Sequence, residues 1–147
     1  MRSRWSFLVL VPLAFSLAAC GRLAVPPVPK GKPVELSLSR AAVTWTDKKG
    51  GTLELKPDGT ITATHVCSDY DIIDGTDEPR SGSGTWRNES GLAGQAGTVI
   101  HVDFETSQGE VTSSYDALQN GRTLKLWTYV GDPDEGSPLC ILAAPAG

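Results

Sequence analysis

The chain reads as an all-β protein, an antiparallel up-and-down barrel of about eight strands. Short runs rich in Thr, Val and Leu alternate apolar and polar residues, which is the period of a half-buried strand. Glycine- and proline-rich turns punctuate these runs, and long stretches of helical period are scarce. Most runs are separated by connections short enough for local hairpins, and closing such a meander removes its exposed edges. The competing fold is an immunoglobulin-like β-sandwich. Its tryptophan would fall about a dozen residues after the first cysteine and its tyrosine two before the second. Here Trp86 comes 19 residues after Cys67, and Pro138 stands two before Cys140.

The first 19 residues do not belong to that wall. Arg2 and Arg4 give a positive start, and Trp5–Phe15 is apolar over 11 residues. A bilayer-spanning helix needs about 20, so the pattern is that of an export leader. Leu17-Ala18-Ala19-Cys20 then resembles the lipobox of bacterial lipoproteins. The resemblance implies cleavage before Cys20, diacylglycerol on its thiol and further acylation such as palmitate. An ordinary leader cleaved after Ala19, with Cys20 left as a plain thiol, is the alternative. Position 21 is Gly rather than Asp, so no inner-membrane retention signal is implied. Residues 20–34 form a lipidated tether, extended by its prolines. Residues 35–147 form one barrel domain, and the expected location is the outer face of the cell membrane.

The best-specified element is the hairpin Gly51–Thr64. Pro57-Asp58-Gly59 supplies a preset φ, a turn former and a residue that accepts positive φ. A three-residue loop sets Lys56 opposite Thr60, Leu55 opposite Ile61 and Leu53 opposite Ala63, which places four apolar side chains on one face. Before it, Ala42–Thr46 alternates with Val43 and Trp45 inward, and Asp47-Lys48-Lys49-Gly50 turns the chain. His65 shares the face of Ile61 and Ala63, near the rim of the interior.

A turn-rich acidic loop runs from about Ser68 to Ser83, and Gly84–Asn88 is a short strand carrying Trp86. Thr98–Glu105 points Ile100, Val102 and Phe104 to one face and His101 and Asp103 to the other. Val111–Gln119 and Thr123–Val130 flank Asn120-Gly121. A two-residue type I′ loop there pairs Gln119 with Arg122 and Asp116 with Lys125. Gly131–Pro138 is another turn, and Leu139–Ala143 is the last strand. The Gly51–Thr64 hairpin, Gly84-Thr85-Trp86 and Trp127–Asp134 look like small secreted lipoproteins of high-GC Gram-positive bacteria. The strand order is similar in outline to lipocalin and avidin barrels. Neither likeness carries an activity.

Cys67 and Cys140 remain after Cys20 is assigned to lipid. An exported pair reads as a disulfide, with two buried thiols as the alternative. The loop Asp69–Glu78 holds five carboxylates, yet Ile73, Asp74 and Arg80 stand where an EF-hand needs Asp or Asn, Gly and Glu. A solvated loop is the plainer reading, and no metal or other cofactor is expected. Two cysteines and two histidines show no CxxC or HxxxH spacing. Of 13 basic residues two lie in the leader, so 11 face 17 acidic ones, a formal charge of −6 without a basic stripe. That argues against a nucleic-acid partner.

No nucleophile elbow or catalytic signature appears, so the protein is read as no enzyme. Trp127 and Tyr129 lie opposite in parity to Leu124 and Leu126, so one side of that strand is core. The other is a contact surface or further aromatic packing. Tyr70, Ile72 and Ile73 are apolar for a loop and are candidate contacts too. The expected role is a membrane-anchored binder of a small ligand or envelope component. The alternative is a protein–protein module such as an inhibitor of an envelope hydrolase.

Overall fold

The computed structural model describes residues 27–69, 78–90, 96–106 and 109–146. The stretch read as an export leader, Cys20, residues 21–26, and Tyr70, Ile72 and Ile73 lie outside the described residues. Eight strands follow one another around a closed wall in chain order. They are β2 (Thr44–Asp47), β3 (Thr52–Leu55), β4 (Thr60–Val66), β5 (Arg80–Ser90), β6 (Thr98–Thr106), β7 (Gly109–Asn120), β8 (Thr123–Tyr129) and β9 (Leu139–Ala143). Each is antiparallel to the next, and β9 returns to β2 through Thr46–Ala143 and Asp47–Leu142. That closure is a barrel and excludes the sandwich. A two-residue strand β1 (Lys32–Pro33) lies outside the ring, paired with Gln119 and Leu118 of β7.

The β3–β4 hairpin has the register its turn dictates. Leu53 faces Ala63 and Leu55 faces Ile61. The Lys56 amide donates to Thr60 at 2.9 Å, and Gly59 takes φ +84°. All four apolar side chains are buried. One residue of slip would have turned them all outward.

Three local readings are corrected. In β4 a bulge sets three steps, Ala63 to Val66, against two on β5, Gly82 to Arg80. His65 absorbs the extra residue with φ +46° and is exposed, and Val66 takes the inward place. His65 is therefore not at the rim of the interior. The β7–β8 turn has two residues, but they are Gly121 and Arg122. Asn120 pairs with Thr123, and Asp116 meets Trp127 rather than Lys125. Gly121 holds φ +61° at the first turn position while Arg122 is not in the left-handed region, so the turn is of type II′. The shift is two residues, which keeps every side chain on its expected face. Finally, β5 begins at Arg80, inside the span read as loop, because Gly and Ser dilute its alternation.

The interior is filled. Trp45, Leu53, Ile100, Val102, Ser113, Tyr115, Leu126 and Leu142 each have 0% exposure. Side chains at zero exposure border no void that would admit water. One end of the barrel is sealed by the helical turn α1 (Leu38–Ala41): Trp45 Nε1 donates to the Ala41 carbonyl at 2.9 Å. Trp86 Nε1 donates to the Lys56 carbonyl at 2.8 Å beneath the hairpin turn. At the opposite end Cys67 and Cys140 are bonded, with Cα atoms 5.5 Å apart.

The chain just before residue 35 is packed against the wall from outside. A side chain at Gly31, whose φ is +150°, would meet Leu118 Cδ1 at 2.5 Å and the Gln119 carbonyl at 2.9 Å. The Val34 amide donates to Ala117 at 3.2 Å, and its carbonyl accepts from Thr98 at 3.0 Å. The chain is thus fastened onto β7 from Gly31 onward.

Candidate functional site

Strand alternation separates the two faces of β8 and β9. Leu126, Cys140 and Leu142 are buried inward. Trp127, Tyr129, Leu139 and Ile141 point outward and are half-buried. Trp127 lies directly across from Ile141, and Tyr129 from Leu139. The rings of Trp127 and Tyr129 meet edge to face, with centroids 5.2 Å apart and planes at 78°. Such pairs prefer this arrangement because a positive ring edge meets a negative face. The sheet outside β3 to β6 is different. There the outward residues include Glu54, Thr62, Ser83, Thr85, Arg87, His101 and Asp103.

The apolar face continues under residues 28–31. Leu118 shares the outward parity of Asp116, yet it is only 5% exposed and stands apart from the central core, because Gly31 lies against it. Val28 and Pro29 of the tether, with Leu118 and Trp127, bound a surface cleft of about 270 Å³. Val28 is 63% exposed. Asp116 stands in the wall of this cleft, and burial pushes its carboxyl pKa above the ordinary value.

A second cleft of about 280 Å³ lies at the disulfide end, bounded by Val130, Pro138, Leu139, Ile141, Pro79 and Cys67, with Lys48 and Lys49 at its edge. Asp47 also lines it, but that carboxylate is engaged. It accepts from the Lys49 and Gly51 amides at 2.8 Å and from Cys67 at 3.0 Å.

Polar groups gather inside the same end. Tyr115 donates to the Cys67 carbonyl, Ser113 donates to Asp69, and Arg80 Nε donates to Ser68 at 2.9 Å. Burial raises the Asp69 pKa, against the opposing pull of the Ser113 hydroxyl, the Ser114 amide and Arg80. Burial also drives the Tyr115 pKa upward, so its hydroxyl stays protonated.

On the outside of β5–β7, His101 is set between Ser114 Oγ at 2.9 Å and Glu89 Oε2 at 3.1 Å. Its neighbours Arg87 and Asp103 pair at 2.7 Å. Sequence distance hid this relay, and only the pairing of His101 with Ser114 across β6–β7 reveals it. It forms a cross-strand polar ladder over β5, β6 and β7. Ser114 sits in mid-strand, and its own amide is turned to Asp69.

Of the candidate contacts read from sequence, the structure brings Trp127 and Tyr129 together on the outer face. The sequence reading missed Leu139 and Ile141 as their partners. Alternation within Leu139–Ala143 carried that signal once β9 was paired with β8. Compared with known proteins, the chain matches no family model, no curated protein and no solved structure.

Proposed function

We propose that the protein is a lipid-anchored, extracytoplasmic and non-catalytic barrel that recognises an envelope component with the outside of its wall. Cys20 carries the lipid in this reading, and the membrane is the first partner. The observation that supports it is the pairing of a filled interior with an apolar outer face. A barrel that carries a small molecule inside needs a hollow of several hundred cubic ångströms. Here bulky side chains occupy that space, while Trp127, Tyr129, Leu139 and Ile141 stay half-exposed. Exposed apolar patches on soluble surfaces mark contact sites.

Site-directed photocrosslinking tests the reading. A photoreactive phenylalanine at Tyr129 is expected to yield a discrete envelope adduct, and the same residue at Glu54 is not. Equal labelling from both positions, or none from Tyr129, overturns it. A second reading, a protein–protein module such as a hydrolase inhibitor, rests on the disulfide end. The connections after β2, β4 and β8 converge there, beside the 280 Å³ cleft. A protein adduct from Val130 without one from Tyr129 would favour that reading.

A further inference from the structure

The face beside the tether has a second property that narrows its partner. Four cations surround it. Lys125 pairs with Leu118 and shares its outward parity, while Lys32 pairs with Gln119 at the rim beside it. Arg122 lies in the turn that joins β7 to β8, and Lys30 lies in the tether between Pro29 and Gly31. None of the four has an ion-pair partner among the described residues. Two carboxylates lie close. Asp116 is on the same face opposite Trp127, and Glu35 accepts from the Thr98 hydroxyl at 3.1 Å. Beyond Tyr129 the connection to β9 adds Asp132 and Asp134, so the positive excess is confined to the tether end of the face, in a chain whose mature part is negative overall.

The tether fixes which wall meets the membrane. Its described residues fold back from β1 to Trp127, so Pro27 leaves the barrel beside this face. Pro27 lies seven positions after Cys20, a reach of about 25 Å when fully extended. Presenting the opposite wall would require that leash to cross four strands at about 4.8 Å each, measured at the backbone. Little length would then remain to reach the headgroups.

Tryptophan and tyrosine suit the boundary of a bilayer, where an apolar ring and a polar tip are both satisfied. Lysine and arginine beside them are drawn to anionic headgroups. We propose that the outer face of β8 and β9, flanked by Lys30, Lys32, Arg122 and Lys125, lies on an anionic phospholipid surface. The barrel then rests side-on upon the membrane that holds it. This rests on the reading of Cys20 as the lipid anchor and of the outer face as the envelope-binding surface.

The test uses the mature protein, isolated from the membrane, in vesicles of phosphatidylglycerol and phosphatidylcholine with brominated acyl chains. Trp45 and Trp86 are buried, so Trp127 is the reporter. Its fluorescence is expected to be quenched, and Trp127→Phe removes the quenching. The double charge reversal Arg122→Glu/Lys125→Glu should reduce quenching at least twofold, and Lys56→Glu/Arg87→Glu on the opposite wall of β4 and β5 should not. Pure phosphatidylcholine or raised salt should weaken it likewise.

A protein that fails to float with any vesicle, and carries no lipid mass, refutes the anchor. A protein that floats with its Trp127 unquenched refutes the side-on face alone. So does equal loss from both double reversals. A floating dimer whose association depends on Trp127 and Ile141 also overturns the proposal, by assigning the face to a second copy.

Discussion

From inside the barrel, the Tyr115 hydroxyl donates to the Cys67 carbonyl at 2.9 Å. This bond stands where the wall changes partners. Strand β7 pairs with β6 along Gly109–Asp116, but its ladder to β8 stops at Asp116–Trp127. Beyond that point Cys67 and Asp69, just past the end of β4, take over. Asp69 receives the Ser113 hydroxyl and the Ser114 amide, and Cys67 receives Tyr115. A polar cluster inside an apolar barrel thus completes a ladder that the neighbouring strand leaves open.

Tyr115→Phe removes that donor without changing the shape of the ring. The Cys67 carbonyl loses its partner in a dry site, so stability should fall by about 1–2 kcal/mol. Denaturant titration reads this as a lower midpoint at unchanged slope. A change below about 0.3 kcal/mol would mean water already serves the carbonyl.

The Cys67–Cys140 bond fastens the end of β4 to β9 and closes a loop spanning 73 residues. In the chain-entropy account such a crosslink stabilises by about 4 kcal/mol. Replacing both cysteines by serine should lower Tm by roughly 15 °C in a domain of this size. The Tyr115 bond meets the same segment, so the two effects should not add. A triple variant is expected to lose less than the sum. Strict additivity would show that the bridge and Tyr115 hold independent parts of the wall.

What the sequence shows of this fold is what alternation and turn chemistry encode. Pro57-Asp58-Gly59 sets the β3–β4 register to the residue, because a single slip would expose Leu53, Leu55, Ile61 and Ala63 together. Asn120-Gly121 marks its turn but not its centre. A two-residue shift leaves every side chain on the same face, so burial cannot choose between the registers. The bulge at His65 is hidden for a related reason. One inserted residue breaks the period locally, and only pairing with Gly82 and Arg80 exposes it. Trp127 and Tyr129 were visible as residues bulky on the wrong face, but Leu139 and Ile141 join them only through the β8–β9 ladder. The relay through His101 has no local signature, since Glu89, His101 and Ser114 come from three strands.

Asp116 gives a pH test of the outer face. Burial raises its pKa in the folded chain, so the fold binds that proton more tightly than the unfolded chain does. Its contribution is present at low pH, below the unfolded value, and is lost as pH rises through the raised value. Asp116 remains largely open to solvent, which screens the effect, so Asp116→Asn should be only slightly more stable than the parent at pH 7, by about 0.5 kcal/mol or less, and should lose that advantage near pH 3. Paired urea titrations at the two pH values read the difference. A parent protein more stable than the variant at pH 7 would mean Asp116 makes a favourable charge contact instead.

Gly84 tests how closely β5 and β6 approach. It is buried on the inward face of β5, paired with Ile61 on one side and Phe104 on the other. A methyl group there would strike the Asp103 carbonyl oxygen and lie 3.1 Å from the Phe104 Cα. Both obstacles are backbone of the neighbouring strand, so neither can rotate away. Accommodating Gly84→Ala means opening the ladder beside Phe104, whose ring also carries the Arg80 guanidinium 5.7 Å from its centroid. Overpacking of this kind costs about 1–3 kcal/mol. The upper half of that range is expected because the clash is with main chain. Gly50→Ala is the comparison. Gly50 has φ +88° with open space around it, so alanine there meets only left-handed strain of about 1–2 kcal/mol. Thermal unfolding should rank parent above Gly50→Ala above Gly84→Ala. Equal Tm values for Gly84→Ala and the parent would place β5 and β6 farther apart at this crossing than their paired backbones require.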